Sequence, residues 1–208
     1  MNVFARYFTE NGHNFRLNTV LQFGDSWDII GGAVLINPGS ARPIGDITPG
    51  QLIELSKLTH HESDWKVFSA DPTMRQLEKI FNGWYIGKNK ELNGVIILSN
   101  LFNLRDKNLR QALEMRQQCT SDRLFTNQDD LNMLRDIDNI YLGWGNAGKG
   151  ELRCVAEPIF NAVRKNVSHY VNNDFTHNTF YHPGYINRSY KNNPITRQVL
   201  TNFFNNPQ

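Results

Sequence analysis

The sequence predicts an α/β fold, a three-layer α/β/α sandwich in which helices cover both faces of a mostly parallel central sheet. Three observations carry that expectation. Apolar runs of strand length alternate with helical patterns along the chain, the order that right-handed crossovers turn into parallel sheets. Two helical patterns open on a capping residue followed by proline, Thr48-Pro49 and Asp71-Pro72, which is how many helices begin. A length of 208 residues suits one such domain, residues 1–208, with a core of useful size.

Taken in order, the elements are as follows. Leu17 to Phe23 is a mixed apolar stretch of strand length, and Gly32 to Ile36 is a purer one. The helix after Thr48 carries Leu52, Ile53, Leu55 and Leu58 as an apolar stripe, and the helix after Asp71 carries Met74, Leu77, Ile80, Phe81 and Trp84. Gly94 to Leu98 reads as a buried strand, followed by helices at Leu109 to Gln117 and Gln128 to Arg135. A strand at Ile140 to Trp144, a helix at Leu152 to Arg164, short strands at Val167 to Val171 and Thr179 to Tyr181, and a helix at Ile195 to Phe204 complete the list.

Composition narrows the function. Lys plus Arg number 22 against 20 Asp plus Glu, a formal charge of +2, so no bulk positive field announces a nucleic-acid binder and any such role rests on a local patch. Cys119 and Cys154 are too few and too far apart for a disulfide scaffold or a zinc site, and read as reduced. His60-His61-Glu62 lacks a third ligand at a sensible spacing, so no metal is expected. No leader and no apolar run of about 18 residues is visible, which predicts a soluble cytoplasmic chain without a membrane segment.

Two turns attract attention. Val34-Leu35-Ile36-Asn37-Pro38-Gly39 and Tyr181-His182-Pro183-Gly184 each read as a strand running out into a proline-glycine turn, with Asn37 or His182 delivered where the strand stops. In open α/β sheets ligands bind at such strand ends. Between them, Gly94 to Asn100 is a strand with an amide at its exit, a group that offers both a donor and an acceptor to a base edge; Ser99 competes with Asn100 for that position. Gly143-Trp144-Gly145-Asn146-Ala147-Gly148-Lys149-Gly150 contains a G-x-G-x-x-G pattern. A phosphate loop would need Ser or Thr after Lys149, and a dinucleotide site an acidic residue about 20 positions on. A glycine-rich turn is the simpler reading, and a nucleotide-binding enzyme the alternative.

These segments, in this order, are similar to the uracil-DNA-glycosylase-like superfamily. Asn37-Pro38-Gly39 resembles the first motif of its mismatch-specific and thymine-DNA glycosylase branch. Gly94 to Arg105 resembles its central base-reading strand, Ile140 to Gly145 its Trp-Gly strand, and His182-Pro183 its His-Pro loop. With Asp71-Pro72-Thr73 added, the pattern is similar to the bacterial family catalogued as domain of unknown function 1643.

The resemblance implies a DNA glycosylase that flips and excises uracil, a damaged pyrimidine or a modified cytosine such as the hydroxymethylated or glucosylated base of phage DNA, in repair or antiviral defence. A modified-base sensor without chemistry is the alternative from another class. On the glycosylase reading His182 stabilises the departing base, Asn37 positions the attacking water, and Asp71 either caps its helix or assists Asn37 from the cleft. Asn100, Ser99 and Phe102 are the base-contact candidates. Ile186 is the expected wedge that fills the vacated stack, and Ser40, Arg42, Arg188, Ser189 and Lys191 are the expected phosphate contacts. A monomer acting on duplex DNA without a cofactor follows.

Overall fold

The computed structural model describes residues 1–167 and 174–205, and they form a mixed α/β fold on one seven-stranded open sheet. Strand β1 (Asn2–Glu10) and strand β2 (His13–Phe23) make an antiparallel hairpin that closes at Glu10 opposite His13. Its turn is Asn11-Gly12, with φ of 49° and 76°. Two successive left-handed residues give a turn whose twist matches paired strands, and Asn-Gly is its favoured sequence.

The remaining strands are β3 (Ile29–Leu35), β4 (Pro43–Asp46), β5 (Trp65–Phe68), β6 (Gly94–Asn100) and β7 (Ile140–Leu142). Across the sheet they run β4-β5-β1-β2-β6-β3-β7. Among the described residues the parallel pairs are those of β3, with β6 on one side and β7 on the other. The pairs β1–β2, β1–β5, β2–β6 and β4–β5 are antiparallel. The expected mostly parallel sheet is thus corrected to a mostly antiparallel one. The hairpin accounts for the β1–β2 pair, since a two-residue turn can only reverse the chain, and β2 in turn lies antiparallel to β6. Strand β2 is buried from Phe15 to Phe23, so it shows none of the alternation that marks a half-exposed strand.

The helices are α1 (Pro49–Thr59), α2 (Pro72–Phe81), α3 (Leu109–Gln118), α4 (Gln128–Arg135), α5 (Arg153–Val167), α6 (Pro183–Ser189) and α7 (Pro194–Phe204). Both expected proline starts are present. The Thr48 hydroxyl accepts from the Gln51 backbone N–H at 3.2 Å while the Gln51 side chain accepts from the Thr48 N–H at 2.9 Å, a reciprocal capping box. Asp71 Oδ1 accepts from the Met74 N–H at 3.0 Å.

Helix α2 packs on α6 and α7, while α5 packs on α4 and β7. Helix α6 replaces an expected turn. The expected strand at Thr179 to Tyr181 has no sheet pairing, although the Phe180 carbonyl accepts from the Gly145 N–H. Of the expected strand at Val167 to Val171, Val167 closes α5 and the rest lies outside the described residues. No described helix is long and apolar enough to cross a membrane.

Candidate functional site

Strands β3 and β6 end side by side, Leu35 paired with Asn100, and β2 begins at the same end because it runs antiparallel to β6. A cleft of about 380 Å³ opens there. Its walls bring together Asn37, Asp71, Asn100, His182 and Arg188 from four separate stretches of chain, with Leu35, Leu98, Met74 and Leu109 as apolar surface. A larger cavity of about 770 Å³ lies at the opposite end of β3, against Ile29 and Gly31. Asp129, Asp130, Asp136 and Asp138 line that one, which makes it a poor place for a polyanion.

His182 caps helix α6. Its Nδ1 accepts from the Gly184 backbone N–H at 3.1 Å, so a neutral ring carries its proton on Nε2 and is left with a donor there. Burial, with a further push from the Arg188 charge, holds the imidazole below its usual 6.5, and Asp71 opposes the shift. The sign for stability follows. The unfolded ring takes up a proton near pH 6.5 before the folded one does, so stability is lost as pH falls through that range. Protonation would also put a second N–H against Gly184. Thermal unfolding of the wild type should therefore drop more between about pH 7 and pH 5.5 than that of His182→Ser, which keeps a capping oxygen without a titrating group. Equal drops would contradict the assignment.

Asn37 follows β3. Its Nδ2 donates to the Asp106 carbonyl at 3.0 Å, which orients the amide and leaves Oδ1 as its remaining acceptor. Asp71 Oδ1 caps α2, and the residue is buried in the cleft wall. Gly39 is required beside it. Its φ is +66°, and a Cβ there would stand 3.3 Å from Asp71 Oδ2, so a side chain is disfavoured by both backbone and contact. Asp71→Ala should cost about 1 kcal/mol by losing the cap, and Asp71→Ser should restore most of that in denaturant unfolding. A Ser variant as unstable as Ala would show that the carboxylate does something other than cap.

Asn100 and Leu98 face the cleft and Ser99 does not, because successive side chains on a strand alternate. The Asn100 Oδ1 is buried and finds no hydrogen-bond partner among the described residues. Of the two candidates, Asn100 is the one in the cleft lining. Phe102 is fully buried in the core and lies outside the cleft.

Ile186 is corrected from wedge to core residue. It is 0 % exposed, because α6 turns this side inward where an extended loop would have presented it. Tyr185, one position earlier, lines the cleft at 39 % exposure and stacks on Tyr181 with ring centroids 5.2 Å apart. Among the expected phosphate contacts only Arg188 reaches the cleft. The Ser40 carbonyl accepts from Arg105, Arg42 lies exposed before β4, Ser189 Oγ donates to the Tyr185 carbonyl, and Lys191 sits over Tyr190.

Arg16, Thr73, Lys107 and Tyr185 also line the cleft and were not among the expected site residues. An arginine between Phe15 and Leu17, at the edge of the Leu17 to Phe23 stretch, was the available signal for Arg16, since such a charge is seldom buried without a purpose. The glycine-rich turn has a different use. Lys149 Nζ donates to the Asn178 carbonyl at 2.8 Å, and Gly148 lies against the Trp144 indole. Among the described residues no cluster of His, Cys, Asp and Glu is placed to hold a metal ion. No family model, no curated protein and no solved structure matches this chain.

Proposed function

We propose that this protein is a DNA glycosylase that flips a modified or damaged pyrimidine into the cleft and cuts its bond to deoxyribose. The observation that carries the reading is His182, whose Nδ1 is occupied by the Gly184 N–H, leaving Nε2–H as a fixed donor on the wall that also holds Asn37 and Asn100. Cleavage leaves negative charge on the base and positive charge on the sugar. A preorganised neutral donor at the base stabilises that leaving anion in the manner of an oxyanion hole. Asn37 Oδ1 would hold the water that attacks the sugar carbon, and the second oxygen of Asp71 would assist it.

The cleft suits a flipped base in other respects. Leucine and methionine walls take a flat ring, and Asn100 Oδ1, buried without a partner, gains the hydrogen bond whose absence is costly. Tyr185 at the mouth has the exposure expected of an aromatic that meets the flipped nucleotide or the gap it leaves. Lys107 and Arg188 supply cations for flanking phosphates. The parallel pairing of β3 with β6 and β7 supports this reading, as do the strand-end positions of Asn37 and Asn100.

A second reading keeps the cleft without the chemistry. An amide is no general base, and Asp71 Oδ1 is occupied by its helix, which favours a modified-base sensor. One experiment separates the two. Purified protein is incubated with duplexes carrying uracil, damaged pyrimidines or modified cytosines, and with phage DNA rich in the latter. Alkali-labile abasic sites in at least one substrate are expected. Tight binding without any abasic site would replace the glycosylase with the sensor, and neither binding nor cleavage would remove both.

A further inference from the structure

The most buried charged group in the cleft lining is a guanidinium, two of whose nitrogens find no hydrogen-bond partner among the described residues. Arg16, four residues into the hairpin's second strand, is 2 % exposed, yet it lines the cleft. Its Nε and Nη1 are buried and find no hydrogen-bond partner among the described residues. Phe68 lies against it, the guanidinium carbon 5.7 Å from the ring centroid. Buried arginines are almost always matched by a carboxylate, because an unmatched buried charge is costly. Desolvation pushes this one down to about 10, Asp71 partly offsets the shift, and Arg105 adds to it; the group is still a cation at neutral pH.

The surroundings do not balance that charge. The lining holds three cations, Arg16, Lys107 and Arg188, against a single carboxylate, Asp71, one of whose oxygens caps α2. Lys107 and Arg188 stand toward solvent, where backbone phosphates would pass, while Arg16 lies at the floor where only the inserted end of a ligand arrives.

We propose that Arg16 is a specificity residue that binds an oxyanion, carboxylate or phosphoryl, carried on the buried end of the ligand. In the glycosylase reading, on which this rests for its choice of ligand, the flipped base bears an acidic substituent and enters with that substituent toward β2. The anion accepts from Arg16, and the ring's own N–H or amino group donates to Asn100 Oδ1, so that the orphan donors and the orphan acceptor are satisfied by one molecule. Neutral bases leave Arg16 unmatched and bind less well.

Free ligands test the site without any requirement for cleavage. Inorganic phosphate, 6-carboxyuracil and uracil are titrated into the full chain, with binding read by calorimetry and by the rise in unfolding temperature. Phosphate or 6-carboxyuracil should bind saturably and more tightly than uracil, and Arg16→Gln should weaken that binding roughly 10- to 100-fold, the range for a charge-assisted hydrogen bond. Binding of 6-carboxyuracil alone identifies a ring-borne carboxylate, and binding of phosphate alone a phosphoryl group.

Should Arg16→Gln fail to fold, Asn100→Asp carries the test. A carboxylate built into the same lining should raise the unfolding temperature and abolish anion binding. The proposal falls if the folded wild type binds neither anion, if Arg16→Gln binds them as the wild type does, or if Asn100→Asp leaves their binding intact. Anion binding by a protein that makes no abasic site would sink the glycosylase reading and leave the anion site standing. Abasic sites without anion binding would do the reverse.

Discussion

His182→Ala is expected to reduce formation of abasic sites by about 10²- to 10³-fold, the usual loss when one donor to a developing oxyanion is removed. The loss should fall on kcat, because a donor that acts on charge present only in the transition state contributes little to ground-state binding. Two effects are mixed in the alanine variant, since it also removes the cap on α6, a change worth about 1 kcal/mol of stability. His182→Ser separates them. A serine hydroxyl takes over the Gly184 N–H and leaves nothing in place of Nε2–H, so stability should recover while activity stays low. If His182→Ser excises base at the wild-type rate, the imidazole has no part in the chemistry. Single-turnover kinetics on the best substrate, beside denaturant unfolding of the same preparations, makes the comparison.

The largest loss of stability is expected from Trp144→Ala. Trp144 is fully buried, with the Phe180 ring 4.6 Å and the Phe175 ring 6.5 Å from its own, and Phe160 behind both. Truncating a buried tryptophan costs about 3–5 kcal/mol. For a chain of this size that lowers the unfolding temperature by roughly 6–20 °C at about 2–4 °C per kcal/mol. Trp144→Phe should lose much less, because it keeps most of the ring contacts and removes an indole N–H that is buried without a partner among the described residues. Gly148 belongs to the same cluster, since a Cβ there would collide with the indole. Differential scanning calorimetry would show whether the glycine-rich turn is packing for Trp144. A Trp144→Ala variant that melts with the wild type would restore interest in that turn as a ligand loop.

What was legible in the chain was local. Thr48, Asp71 and the prolines after them act on backbone groups within three or four residues, and both helices start where that chemistry says. Gln128–Arg135 has the bounds its periodicity predicts, and the apolar cores of β3, β6 and β7 lie where their runs place them. Asn11-Gly12 was equally local and would have revealed the hairpin. Its partner strand hid it, because β2 is buried along most of its length and so lacks the alternation that identifies a half-exposed strand.

By itself, then, the sequence determined the α/β character, the helix starts after Thr48 and Asp71, and the placing of Asn37 and Asn100 at strand ends. Each depends on contacts between near neighbours in the chain. Tertiary structure decided the direction of the β1–β5, β2–β6 and β4–β5 pairings, the helix that His182 caps, the inward turn of Ile186, the placing of Asn100 and not Ser99 in the cleft lining, and the presence of Arg16 there. Those outcomes depend on which distant segments pack together. Arg16 and Asp71 are brought to one cleft only because β2 runs antiparallel to β6 and α2 lies beside the same sheet end, and no local pattern records such a meeting.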